Sequence, residues 1–212
     1  MNKARNRAHP LTLAVMAAVL ASTTLSACAP ILVGGAVAGT IAATDRRTFG
    51  AQTEDKSIVV KAELKMPNIV DKSSHINVNS FNRRVLITGE VPDEETKAKV
   101  EREVRGIEGV MNVTNELEVG FSSSYTSRSN DALITSKVKL SLADAKDISA
   151  NSFKVVTEKG AVFLMGRVTQ REGAQAAEIA RGVSGVTKVV KVFEYITEDE
   201  WKQYQPSQAS QG

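Results

Sequence analysis

The stretch LITGEVPDEETKAKVEREVRGIEGVMNVTNEL, residues 86–117, decides the fold because the chain contains it twice. The second copy, FLMGRVTQREGAQAAEIARGVSGVTKVVKVF, occupies residues 163–193. Gly89 matches Gly166 at a shift of 77, while Gly106, Gly109 and Val110 match Gly182, Gly185 and Val186 at a shift of 76, so one residue is lost between them. The shift of 76 also holds upstream, where Asp55, Ile58 and Lys61 match Asp131, Ile134 and Lys137. A unit of about 65 residues therefore occurs twice, which points to two small domains of one kind.

Working outward, the hydrophobic period assigns the elements. Residues 54–66 and 130–145 carry apolar side chains at helical spacing, and in the second of these Ile134, Val138, Leu142 and Ala145 share a face, with Asn130 and Asp131 as caps. Two strand-like runs follow in each copy, INVNSF then VLITGEV, and FKVVTE then AVFLMGRV; Lys159-Gly160 joins the latter pair as a hairpin. Pro92 and Thr169 open the next helices and Gly106 and Gly182 close them. A last strand follows, MNVTNELEV or TKVVKVFEY. The expected fold class is α+β: each copy runs α-β-β-α-β, with its helices on one face of a small three-stranded sheet.

The first 27 residues form a different kind of segment. MNKARNRAHP is basic, LTLAVMAAVL is an apolar run of ten, and ASTTLSA leads to Cys28. This is the pattern of an export signal, and the run is short of the roughly 20 residues that a membrane-spanning helix needs. LSAC, residues 25–28, resembles the bacterial lipobox, which implies a diacylglyceryl group on the Cys28 thiol and cleavage before it; the other reading is a secreted protein with a buried thiol. Cys28 is the single cysteine, so no disulfide forms within the chain, and lipidation explains its presence. Residues 29–44 are uncharged and rich in small residues, and the span 28–53 reads as a lipidated cysteine and tether. GGAVAGT within it lacks the lysine of a phosphate-binding loop.

Strand, G-x-V, helix, G-V-x-x-V, strand is the order of parts in the BON domain. Two such copies behind a lipobox resemble the dual BON-domain outer-membrane lipoprotein family. TDRRTFGAQTED after the tether, NDALITSKVK at the start of the second copy and VTEKGAVFLMGRVTQRE within it also resemble that family. The division then reads: residues 1–27 signal, 28–53 anchor and tether, 54–120 first BON domain, 121–130 Ser-rich linker, 131–196 second BON domain, and 197–212 a polar, mobile tail. In that tail Trp201 and Tyr204 are expected to fold back on a domain, the alternative being contact with a partner. Among such lipoproteins Ala29, rather than Asp, after the cysteine implies the outer membrane.

Charge narrows the partners. The chain has 212 residues, 27 Lys plus Arg, 24 Asp plus Glu and a net charge of +3, but Lys3, Arg5 and Arg7 account for all of that excess. From residue 28 onward the chain is neutral, which removes bulk charge as an argument for nucleic acid. Residues 54–120 hold 10 bases and 13 acids, a net of −3, whereas residues 121–196 hold 11 bases and 7 acids, a net of +4. The second copy is thus suited to anionic phospholipid such as phosphatidylglycerol or cardiolipin.

The first helix of the second copy sharpens this. With Ile134, Val138 and Leu142 toward the core, Leu133, Lys137 and Leu140 form a neighbouring stripe with an interfacial composition. The matching positions in the first copy include Ser57 for Leu133 and Glu63 for Lys139, so the membrane features are expected in one copy alone. Leu133, Lys137, Lys139 and Leu140 are the candidate phospholipid-binding residues, the alternative being that Leu133 and Leu140 pack on the first copy. The resemblance implies the same helix, together with roles in envelope integrity and at the division site, and partners among envelope or division proteins. In that family a tryptophan typically stands where this chain has Leu133, which implies weaker interfacial anchoring here.

No catalytic group, cofactor or metal site is expected. Beyond the signal there is one histidine, His75, expected at the surface, and no free thiol. Ser184 in GVSGV has the wrong glycine spacing for a nucleophile elbow, and Asp93, Glu94 and Glu95 suit the first turn of a helix. The competing reading of function is a periplasmic protein–protein adaptor without lipid dependence. A periplasmic hydrolase is a third, lacking a visible polar pocket.

Overall fold

The structure, a computed structural model, describes residues 45–71 and 73–204. Cys28, the signal, residues 29–44 of the tether and the last eight residues lie outside them. The first repeat comprises α1 (Phe49–Lys65), β1 (His75–Phe81), β2 (Arg84–Val91), α2 (Glu94–Arg105) and β3 (Asn112–Val119). The second comprises α3 (Tyr125–Ala143), β4 (Phe153–Glu158), β5 (Ala161–Val168), α4 (Gln170–Arg181) and β6 (Lys188–Tyr195), and α5 (Glu198–Gln203) follows. The order α-β-β-α-β therefore occurs twice, as the periodicity predicts.

In each sheet the middle strand, β2 or β5, runs antiparallel to the strand before it and parallel to the strand after it. The parallel pair requires a crossover, which α2 and α4 supply. Asp93 caps α2 by accepting from Thr96 N at 2.7 Å, with Glu94 and Glu95 in the first turn and Arg102 and Arg105 in the last, as the helix dipole favours. Thr169 caps α4 in a reciprocal box with Glu172. Gly106 and Gly182 do end these helices, but in right-handed conformation; the left-handed positions are Gly109 and Gly185, with φ of 94° and 98°.

Both hairpins turn on two residues with positive φ, Asn82-Arg83 and Lys159-Gly160. A buried carboxylate from the first helix of the same repeat fastens each turn. Asp55 accepts from Asn82 N and Arg83 N, both at 2.8 Å, and Asp131 accepts from Lys159 N at 2.9 Å and Gly160 N at 2.8 Å. Asp131 is therefore not a helix cap: α3 begins at Tyr125, and Ser124 caps it. The serines of the expected linker supply the cap, and α3 takes in residues 125–130 of it. α1 likewise begins at Phe49 under a Thr48 cap, within the expected tether.

One core lies between α1, α2 and their sheet, around Ile58, Ile87, Val100 and Leu117, and its counterpart gathers Ile134, Val138, Leu164 and Ala177. Helices do cover one face of each sheet. The opposite faces meet each other: Phe81 and Leu86 pack with Phe163 and Met165, so the layers run helix, sheet, sheet, helix. That seam explains why β2 is buried at every residue after Arg84.

The two ends of the described chain meet in the second repeat. Arg46, from the expected tether, is buried and grips Glu172 bidentately, at 2.8 and 2.6 Å, while donating to Arg167 O at 2.9 Å. Trp201 Nε1 donates to the same carboxylate at 2.9 Å, and Arg167 donates to the Tyr204 hydroxyl at 2.5 Å. Residues 197–204 are thus a capped helix packed on the domain rather than a mobile tail, with Trp201 and Tyr204 folded back. Burial alone would raise the Glu172 pKa, but the hydrogen bonds from Arg46, Thr169 N and Trp201 outweigh it and hold the carboxyl below its ordinary value.

Candidate functional site

Helix α3 divides its faces cleanly. Asp131, Ile134, Val138 and Leu142 are buried against the second sheet. Leu133 is 62% exposed and Leu140 66%, and Lys137 between them is exposed too. Both leucines therefore point outward instead of packing on the first repeat. At 100° per residue all three fall within roughly 60° of arc.

Lys139 does not join that stripe. It lines a cleft of about 660 Å³ between the repeats, whose walls include Lys56, Val60, Phe81, Phe153 and Lys154. Burial, with Arg47 nearby, pushes the Lys154 ammonium below its ordinary pKa; it donates to Ser80 O at 3.3 Å. The four expected residues thus divide into an outward stripe of three and one lysine at the cleft.

Two surface features differ from the sequence reading. Tyr125, 83% exposed, begins α3, and Arg128 lies over its ring at 4.5 Å. Its place in the Ser-rich stretch 121–130 gives it the look of linker; Ser124, the cap before it, is the signal that marks the helix start. Exposed apolar groups are also not confined to the second copy, since Val60 and Leu64 protrude from α1. Leu64 occupies the position that corresponds to Leu140, whereas Ser57 stands at that of Leu133, so the first repeat has one of the two leucines and lacks the net positive charge.

His75 does not sit on the open surface. Its side chain is 15% exposed, with Nδ1 at 3.4 Å from Glu90 Oε2 and 3.7 Å from Glu158 Oε1. His75 and Glu90 face each other across β1 and β2, while Glu158 comes from the end of β4. Carboxylates 15 and 83 positions from His75 leave no spacing signature in the sequence.

No helix among the described residues is long and apolar enough to cross a membrane. The BON domain family matches residues 59–120 and 130–197. The chain is 38% identical over 178 residues to the outer membrane lipoprotein DolP of Haemophilus influenzae, covering 81% of this chain and 90% of the relative. It is 33% identical to the 21 kDa hemolysin of Actinobacillus pleuropneumoniae, over 72% of this chain and 79% of that protein. It is 29% identical to the osmotically-inducible protein Y of Escherichia coli, over 64% and 70% respectively. With the duplicated α-β-β-α-β unit and these matches together, the chain belongs to the dual BON-domain outer-membrane lipoprotein family.

Proposed function

We propose that this chain is a non-enzymatic lipoprotein, held by acyl groups on Cys28 at the periplasmic face of the outer membrane, whose second BON domain binds anionic phospholipid and thereby supports envelope integrity, including at the division site. The observation that carries the lipid reading is the α3 stripe: Leu133 and Leu140 exposed on either side of Lys137, on a helix whose opposite face is already buried. Tyr125, two turns upstream, supplies an aromatic ring at the helix start, where position 133 has none. The leucines enter the acyl boundary while Lys137 meets a phosphate, each basic residue adding about 1 kcal/mol near an anionic surface. Such weak contact suffices for a domain that an acyl anchor already concentrates at the surface.

Cosedimentation of the chain from Ala29 onward with vesicles tests this. Phosphatidylglycerol vesicles should retain it, neutral phosphatidylcholine vesicles should not, and Leu133→Asp should abolish the difference. Equal binding to both vesicles, or an unaffected Leu133→Asp variant, would overturn the proposal. The adaptor reading draws support from Val60 and Leu64, which expose apolar surface on the acidic repeat. It requires a protein cross-linked to α1, with no lipid dependence.

A further inference from the structure

We propose that His75, Glu90 and Glu158 form a divalent metal site, of the kind that takes zinc, and that the bound ion clasps the two repeats together. Nδ1 of His75 and one oxygen of each carboxylate lie within 4.8 Å of one another. Zinc bound to nitrogen and oxygen at about 2.0–2.2 Å in tetrahedral geometry separates its ligand atoms by about 3.3–3.5 Å. The imidazole-to-carboxylate distances of 3.4 and 3.7 Å come close to that edge. One imidazole with two carboxylates is a donor set suited to zinc, and a fourth position is left for water.

An orphaned nitrogen points to a cation at this place, and the two carboxylates are braced to receive one. His75 Nδ1 is buried with no hydrogen-bond partner, although two carboxylates face it. A protonated nitrogen at 3.4 Å is too far for a sound hydrogen bond, and an unprotonated one sets its lone pair against two anions. An ion that draws all three atoms in to about 2 Å, from within the 4.8 Å that now bounds them, would satisfy each. The carboxylates are held from behind. Ser123 N donates to Glu90 Oε2 at 3.0 Å, Asn77 Nδ2 donates to Glu158 Oε2 at 2.9 Å, and Lys159 Nζ lies 3.0 Å from Glu90 Oε1, so both carboxylates are fixed in place.

The local charge accommodates a dication. Facing the cluster are the carboxylates of Glu90, Glu158, Asp131 and Glu118 and the cations Lys159 and Arg128. Two negative charges remain without a counterpart. A pocket of about 470 Å³, lined by His75, Asn77, Arg128, Asp131 and Glu158, leads to the site and provides an entry path. Glu158 belongs to the second repeat and the other two ligands to the first, so the site is complete only while the repeats are docked.

The test uses the full chain in detergent, freed of metal by chelation and then titrated with Zn²⁺ by calorimetry and with Co²⁺ by visible absorption. The expected result is one high-affinity equivalent of Zn²⁺, a raised melting temperature, and an intense tetrahedral Co²⁺ band that Zn²⁺ displaces. His75→Gln and Glu158→Gln should each weaken binding at least tenfold and remove the Co²⁺ band. Circular dichroism checks that the variants are folded. If His75→Gln does not fold, Glu158→Gln and the Co²⁺ band of the unaltered chain decide. Absence of Zn²⁺ binding at 100-fold excess, or binding that neither variant changes, would overturn the proposal.

Discussion

Glu172 shows how much a single buried carboxylate can organise. It receives both arms of Arg46, the backbone N–H of Thr169 and the indole of Trp201, and thus joins the start of the described chain, a helix cap and the terminal helix. Arg46→Ala should destabilise the protein by about 3 kcal/mol in urea denaturation, because it strands a buried charge. Since the folded pKa of Glu172 is held below the ordinary 4.5, its contribution is complete above that value and lost as pH falls through the folded pKa. Stability should therefore fall below about pH 4.5 in the native protein and less steeply in Glu172→Gln, as measured by urea midpoints between pH 7 and 3. Sequence alone did not disclose this site. Arg46 and Glu172 stand 126 positions apart, and nothing about DRRTF distinguishes a strap from a charged tether until the partner is in view. Asp55 and Asp131 present the same difficulty: the repeat marks them as paired, but the turn amides they hold lie 27 to 29 residues away, so Asp131 looks like a cap.

Among the elements, those whose information is local were the legible ones. The six strands and the helices α2 and α4 follow from periods of two and 3.6 and from nearby caps. α1 and α3 start five residues before the apolar periodicity does, because their first turns carry few apolar residues; Ser124 is one of several serines, and Thr48 follows a charged run. That shift matters on α3, where it brings Tyr125 onto the same helix as Leu133 and Leu140. Lys137→Glu should reduce retention on phosphatidylglycerol vesicles several-fold while leaving the melting temperature within a degree or two, since an exposed substitution changes stability by no more than about 0.5 kcal/mol. The G-x-V motif has a steric basis as well. A Cβ on Gly89 would lie 2.0 Å from the carbonyl oxygen of His75, and φ there is +116°. Gly89→Ala should consequently lower the melting temperature by more than 5 °C and disturb the β1–β2 pairing, which amide hydrogen exchange would reveal.

For the molecule as a whole, the sheet-to-sheet seam was written in the sequence as consecutive apolar residues, Val85-Leu86-Ile87 and Val162-Phe163-Leu164-Met165, which an alternating one-sided strand does not need. What the runs lacked was an address, because a second apolar face does not say what covers it. Leu86→Asp places a carboxylate in that seam and should split one calorimetric transition into two, one for each repeat; a single transition with unchanged midpoint would argue against a cooperative seam. The strap also gives the order of synthesis a meaning. Arg46 emerges early, yet its partner Glu172 and the indole of Trp201 that shares that carboxylate emerge 126 and 155 residues later, so until then the guanidinium stays in water. A chain that stops short of Glu172 and Trp201 therefore leaves the Arg46 strap without the carboxylate that fastens it.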